Sequence, residues 1–306
     1  MAFSQVTVQV PATTANLGPG FDCLGVALTL QNQFQFTRQA KGAAPVEIMV
    51  QGEEAASVSN NPDNLIYRAF RQFYEDFGAT APPVQIKIEL GVPLSRGLGS
   101  SATAIVGGLL AANALAGSPV EDEDLLQRAI ALEGHPDNIV PAFLGGCQLA
   151  VPTDKAWEIA EIPWSEQLVP VVAIPNFTLS TQKARSVLPS QFARDVAVFN
   201  ASHLGLLIRA IETGRGDWLR IGMRDQLHQP YRQQLIPGYS EVETAALCAG
   251  AYGVAISGAG PTLLAITSMG QAATVAQEMQ TAWQKAGVTA QAKVLHVNRG
   301  ATFQRQ

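Results

Sequence analysis

Pro93-Leu94-Ser95-Arg96-Gly97-Leu98-Gly99-Ser100-Ser101-Ala102 is the stretch on which the reading of this chain turns. Residues 84–90 before it alternate apolar and polar and read as a strand, whereas residues 102–116 after it are apolar nearly all round and read as a buried helix. A run of small residues at the mouth of a helix lets a ligand approach the backbone closely. The first helical turn adds unsatisfied N–H groups and the positive end of the helix dipole, so an anion is held there without a lysine. The hydroxyls of Ser100 and Ser101 extend such a site towards phosphate or Mg²⁺. Two other glycine motifs fit poorly. Gly97-x-Gly99-x-x-Ala102 formally matches a dinucleotide fingerprint, but it lies far from the start of the chain, Pro93 and Arg96 crowd the approach, and the acids about twenty residues on fall at a helix start. A G-x-x-x-x-G-K-[ST] loop does not occur in the sequence. A plain tight turn stays open as the reading of this segment taken alone.

Outward from the loop, residues 5–10, 26–37 and 46–50 read as strands, and Leu65, Ala69, Phe73 and Phe77 recur at four-residue spacing as one face of a helix that Gly78 stops. Ser118-Pro119 opens a further helix to about residue 132, with Glu121, Asp122, Glu123 and Asp124 suiting its positive end. A strand over 146–151 closes the first half. The second half offers a strand at 169–174, helices at 192–213, 217–226 and 239–250, then strands at 254–257, 262–267 and 290–297 with a helix at 272–286 between the last two. At 306 residues the chain exceeds one usual hydrophobic core, so an α+β protein of two domains, 1–155 and 156–306, is expected.

Composition narrows the function classes. Hydrophobic residues at 47% against 15% charged supply a core and argue against disorder. A net charge of −5 gives no general attraction to nucleic acid or anionic lipid, so neither is expected as a partner. Three cysteines without a C-x-x-C spacing point away from a disulfide framework or a structural zinc and towards a reducing cytoplasm. Residues 1–10 show no basic-then-apolar leader, and Gly107, Gly108 and Asn113 interrupt the longest apolar run, which fits a buried helix better than a membrane span.

Three further segments carry a resemblance. Val10-Pro11-Ala12-Thr13-Thr14-Ala15-Asn16-Leu17-Gly18-Pro19-Gly20-Phe21-Asp22, continuing as Cys23-Leu24-Gly25, stands near the start. Glu133-Gly134-His135-Pro136-Asp137-Asn138-Ile139-Val140-Pro141-Ala142, with Gly145-Gly146 after it, stands mid-chain, and Ala255-Ile256-Ser257-Gly258-Ala259-Gly260-Pro261-Thr262 near the end. With the 93–102 loop, and in this order, they resemble the GHMP kinases, the superfamily of galactokinase, homoserine kinase, mevalonate kinase and phosphomevalonate kinase. The first and the mid-chain segments resemble the homoserine kinase branch; Val140 replaces its commoner alanine, and the R-x-x-x-[IL]-G-E-H-x-D of sugar and mevalonate kinases is missing. The resemblance implies a two-domain GHMP kinase fold, ribosomal protein S5 domain 2-like and then ferredoxin-like, with the nucleotide between the domains. It implies phosphoryl transfer from ATP to the alcohol of L-homoserine, in threonine biosynthesis, and a homodimer as a family-level expectation. Another small-alcohol kinase and an inactive sensor are the alternatives; Ser100, Glu133, Arg185 and Arg232 together argue against the sensor.

Roles follow from the resemblance residue by residue. The loop Pro93, Leu94, Ser95, Arg96, Gly97, Leu98, Gly99, Ser100, Ser101, Ala102 and Thr103 would bind ATP, and a side chain at Gly99 is expected to strike the phosphates while the fold survives. Glu133 would hold Mg²⁺ with Ser100, against the alternative of a solvated acid at a helix end. His135 titrates near neutrality and is a candidate base or an orienting residue; Asp137 and Asn138 are the pair nearest the chemistry, with direct proton transfer to phosphate left open. Asn16 and Asp22 are candidates for the ammonium and hydroxyl ends of the acceptor, an Asx turn being the rival for Asn16. Thr181, Arg185 and Arg232 fall in segments resembling substrate-arginine segments, and a guanidinium fork suits a carboxylate. Gly258 and Gly260 would line the substrate side of the cleft.

Overall fold

Period-two burial builds the first strands in the computed structural model, which describes residues 4–306, so that Met1–Phe3 of the segment read for a leader lie outside the described residues. β1 (Gln5–Asn16) and β2 (Gly20–Arg38) form a long antiparallel pair, with Val6, Val8, Val10, Phe34 and Phe36 buried on one face. Both outrun their expected ends because register shifts at Pro11/Ala12 and Ala15/Asn16 bend the pair without breaking it. β3 (Val46–Gln51) and helix α1 (Leu65–Glu75) follow, the helix capped by the Asn64 side chain, which accepts from the Ile66 N–H at 3.0 Å. β4 (Val84–Glu89) pairs with β2 and, in parallel, with β3. Helix α2 (Ser100–Leu115) is buried nearly all round between that sheet and α1. After α3 (Asp122–Glu133), Gly134 turns the chain left-handed, and Pro136 opens α4 (Pro136–Leu144).

β5 (Cys147–Pro152) and β6 (Trp157–Ile162) form a hairpin joined to β2, and the 155/156 division falls in its turn. The second half comprises β7 (Val169–Pro175), α5 (Thr181–Ser186), α6 (Arg194–Thr213), α7 (Gly216–Gly222), α8 (Gln229–Arg232), α9 (Tyr239–Cys248), β8 (Gly253–Ile256), β9 (Leu263–Thr267), α10 (Ala272–Lys285), β10 (Ala290–Val294) and β11 (Thr302–Arg305). A four-stranded sheet in the order β10-β7-β9-β8 carries α9 and α10. β10 ends early because residues 296–298 cross to β2, where the Thr29 N–H donates to the His296 carbonyl at 3.1 Å. β11 then returns to β1, so β6 and β11, both beyond residue 155, are hydrogen bonded into the seven-stranded first sheet. One apolar cluster joins the halves, with Leu17, Leu24 and Leu98 on one side and Val172, Ile211 and Leu264 on the other. Among the described residues no helix is long and apolar enough to cross a membrane.

Candidate active site

A cleft of about 490 Å³ lies where the loop before α2, the β1–β2 turn, the start of α4, α5 and the turn after β8 converge. The structure brings to it Leu94, Ser95, Arg96, Gly97, Gly99, Ser100, Ser101 and Thr103 of the loop, with Asn16, Asp22, Glu133, His135, Asp137, Asn138, Thr181, Arg185, Arg232 and Gly258. Four expected residues do not face it. Pro93 borders a separate cavity on the outer side of the loop. Leu98 and Ala102 are fully buried in the apolar clusters beneath the loop. Gly260 packs towards Ile236 and Ile256.

Gly99 is the left-handed residue, φ +70°, at the head of α2, and no side chain caps that helix. The N–H groups of its first turn therefore point into the cleft end unsatisfied by a cap. The glycine is demanded by protein packing: a Cβ there would stand 2.0 Å from Thr13 Oγ1. This corrects the expectation that a side chain at Gly99 would strike only bound phosphates. Gly97 is held likewise, its Cβ position 2.2 Å from the Ser257 carbonyl. The Ser257 hydroxyl donates to the Gly97 carbonyl at 2.6 Å and lies 2.9 Å from Thr14 Oγ1, so the first, second and last motifs interlock. Asn32 closes the loop at its base, accepting from the Gly91 and Val92 N–H groups at 2.8 and 2.9 Å and donating to Thr103 Oγ1 at 2.8 Å. Arg96 faces away from phosphate chemistry: its guanidinium pairs with Glu54 and donates to the Pro175 and Asn176 carbonyls at 2.9 and 3.3 Å. It braces the loop against the second half.

Glu133, ending α3, accepts from the Ser101 hydroxyl, the neighbour of the expected Ser100. A carboxylate bonded to a hydroxyl, with Ser100 lining the same cleft, is a hard-oxygen donor set of the kind that suits Mg²⁺. No group of three or more His, Cys, Asp and Glu gathers into a metal site among the described residues.

His135 precedes α4 in extended conformation, and its Nδ1 lies 2.7 Å from Asp137 Oδ1. Asn138 Nδ2 donates to the same oxygen at 3.1 Å, and Asn138 Oδ1 accepts from Thr13 Oγ1 at 2.8 Å. Burial opposes a charge on His135, yet the bond to Asp137 and the charges of Asp137, Glu133 and Asp22 outweigh it and raise the imidazole above its ordinary range. Gly25 of the first motif is what lets α4 sit so close, since a Cβ there would meet the Asp137 carbonyl at 1.8 Å.

At the other end Asp22 forms a two-pronged pair with Arg185, both N···O distances 2.8 Å. Asn16, 1% exposed, spends its amide inside the protein, accepting from the Asp22 N–H at 3.0 Å and donating to the Gly258 carbonyl at 2.9 Å. It positions Asp22, as an Asx turn would. Arg232 is 2% exposed, donates to the Ala184 and Gly258 carbonyls at 3.2 and 3.0 Å, and makes no ion pair among the described residues. The Phe21 ring lies under both guanidiniums, 5.7 Å from Arg185 and 5.1 Å from Arg232. Burial brings Arg232 down to about 10, well below the usual guanidinium range, with Asp22 opposing and Arg185 adding to the fall.

Sequence reasoning missed Thr13, Phe21, Asn32, Ser257 and His228. Thr13, Phe21 and Ser257 stand inside quoted motifs, where only their contacts give them roles; His228 stands four residues before the expected Arg232, and Asn32 stands in no motif and carries no signal.

Residues 64–146 match the family model described as GHMP kinases N terminal domain, and residues 207–285 that described as GHMP kinases C terminal. Over 300 residues the chain is 57% identical to the homoserine kinase of Microchaete diplosiphon, covering 98% of this chain and 97% of that protein. It is 57% identical over 300 residues to the homoserine kinase of Trichormus variabilis, covering 98% and 99%. Among solved structures, homoserine kinase from Cytophaga hutchinsonii matches with a TM-score of 0.88 at 29% identity over 98% of each chain. The L. major mevalonate kinase in complex with R-mevalonate matches with a TM-score of 0.72 at 16% identity over 95% of each chain, a likeness of fold alone.

Proposed function

The chain belongs to the GHMP kinases, and we infer from that membership and from its cleft that it is a homoserine kinase, converting ATP and L-homoserine to ADP and O-phospho-L-homoserine. Arg232 carries the reading of the acceptor. A guanidinium so deeply buried with no carboxylate beside it is costly, and a ligand carboxylate arriving through the cleft would supply the missing anion. Homoserine offers that carboxylate; its ammonium would face Asp22, which Asn16 and Arg185 hold in place.

Phosphoryl transfer rests mainly on positioning and on neutralising charge. The uncapped first turn of α2, with Gly97, Gly99, Ser100 and Ser101, would cradle the phosphates of ATP, and the wall made by Asn64, Leu65 and Leu90 would take the base. Glu133 with the hydroxyls of Ser100 and Ser101 would hold Mg²⁺, which supplies neutralisation of the phosphate oxygens. The acceptor oxygen attacks the γ-phosphorus as the bond to ADP breaks. Asn138 uses one amide N–H on Asp137 and keeps the other for that acceptor oxygen. A histidine held towards its protonated form serves better as a cation than as a base, so His135 is read as orienting. Asp137 Oδ2 stays open to take the hydroxyl proton, with direct transfer to phosphate as the alternative. Three free cysteines and the absence of a described membrane helix support a cytoplasmic enzyme. A homodimer is expected from family membership, and sedimentation of the purified protein checks it.

Coupled ADP release against homoserine, serine, mevalonate and galactose tests the assignment. Homoserine should be turned over fastest. Preference for mevalonate or galactose overturns the acceptor, and no turnover with any of the four returns the sensor reading.

A further inference from the structure

We propose that His228 is a positioning residue for the substrate-carboxylate site: its neutral imidazole presents the Nδ1 lone pair to Arg232 and so aims the guanidinium into the cleft. The proposal rests on the reading of Arg232 as the carboxylate clamp. His228 is completely buried at the entrance to α8. The Asp225 carboxylate fixes the turn around it, accepting from the backbone N–H groups of Leu227, His228 and Gln229 at 2.9, 2.9 and 2.7 Å. His228 Nε2 stands 2.8 Å from the Gly18 carbonyl, which can only accept. The ring proton must therefore sit on Nε2, and Nδ1 is left as a lone pair.

That lone pair faces Arg232 Nη1 at 3.4 Å, and a guanidinium can only donate. The contact is long, so it contributes direction more than strength. With Nη1 also on the Gly258 carbonyl and Nε on the Ala184 carbonyl, one edge of the guanidinium is held inside the protein and Nη2 is left for the cleft. The Phe21 ring stacks on the imidazole, centroids 5.2 Å apart and planes 26° from parallel, and lies under Arg232 as well. The β1–β2 turn, His228 and Arg232 are thus one packed unit linking the first motif to α8. The charged groups that face His228 are Asp225, whose Oδ2 is 3.6 Å from Nε2, then Arg232 and Asp22. Burial and the Arg232 charge outweigh the two carboxylates and the Gly18 carbonyl, holding the imidazole below its ordinary range and neutral.

Two substitutions separate the two ring nitrogens. His228→Gln places an N–H near the Nε2 position but no acceptor towards Arg232, whereas His228→Asn places an oxygen near the Nδ1 position. KM and kcat for homoserine and for ATP are measured for both variants, with thermal unfolding of each. H228Q should raise the KM for homoserine ~5–10-fold, less than a short hydrogen bond to a charged group would cost. Its kcat and its KM for ATP should stay within about twofold of the parent, and H228N should restore most of the lost affinity. A homoserine KM within about twofold of the parent in H228Q overturns the proposal, as do KM values for both substrates rising together or H228N behaving as H228Q. Failure of the parent to turn homoserine over sinks the function reading itself. A parent that works and responds to Arg232→Lys, beside silent His228 variants, sinks only this proposal.

Discussion

Replacing Arg232 by methionine removes the charge and keeps an unbranched side chain of comparable reach. Burial lowers its guanidinium to about 10, which corresponds to about 3 kcal/mol of unfavourable charge burial at neutral pH. The variant loses the charged-donor bonds to the Ala184 and Gly258 carbonyls, about 1.5 kcal/mol each. These two terms nearly cancel, so the unliganded variant should unfold within about 4 °C of the parent. Homoserine binding has no such cancellation. A carboxylate desolvated without its cation loses ~2–5 kcal/mol, so kcat/KM for homoserine should fall at least ~30-fold while the KM for ATP barely moves. The assay compares ADP release with homoserine and with 3-aminopropan-1-ol, its decarboxylated analogue. The parent should prefer homoserine strongly, and R232M should lose most of that preference. Retained preference refutes the clamp, and an unfolding temperature lowered by more than about 10 °C shows that Arg232 is held for the fold.

Three further outcomes follow from the same geometry. Gly99→Ala drives a methyl into Thr13 and fixes a side chain at positive φ, so stability should drop by ~2–5 kcal/mol together with ATP affinity; adding Thr13→Ala should recover part of the unfolding temperature, and a fully stable G99A refutes the interlock. Glu133→Gln offers an amide where a hard cation wants a carboxylate, so a Mg²⁺ titration at saturating ATP should shift to higher metal, and an unchanged curve removes Glu133 from the metal site. His135 carries a folded-state value above its ordinary 6.5, so its pairing with Asp137 stabilises fully below that value and is lost as pH climbs through the raised one. The unfolding-temperature gap between the parent and His135→Gln should be widest below the ordinary value and narrow as pH rises above it, and a gap that grows with pH contradicts the pairing.

The loop and its helix were legible because the hydrophobic period changes there, from alternation before residue 91 to all-round apolarity after residue 101. Other elements hid for physical reasons. α4 carries Pro136 and Pro141, residues that disfavour a helix interior, although the first sits where a helix has no N–H to lose and the second lies inside the nine-residue helix, three residues before its end at Leu144. β11 has four residues, too few for a period, and its partner β1 lies at the opposite end of the chain. Arg96 is expected among the ATP-binding residues because it stands inside the loop that carries the resemblance; its partners Glu54, Pro175 and Asn176 are remote in sequence.

The same limit governs the acceptor site. Arg185 and Arg232 look alike as letters, each a cation in a short helix of the second half. Folding gives Arg185 a carboxylate from Asp22 and gives Arg232 only carbonyls, a ring and a neutral imidazole. Asp22, bound by Arg185, neutralises that cation, and Arg232 is left in the cleft without an ion pair among the described residues. On the proposed reading, an incoming carboxylate would meet that unpaired guanidinium and an incoming ammonium would meet Asp22, so the orientation of an amino acid in the cleft would be set before its hydroxyl reached Asn138.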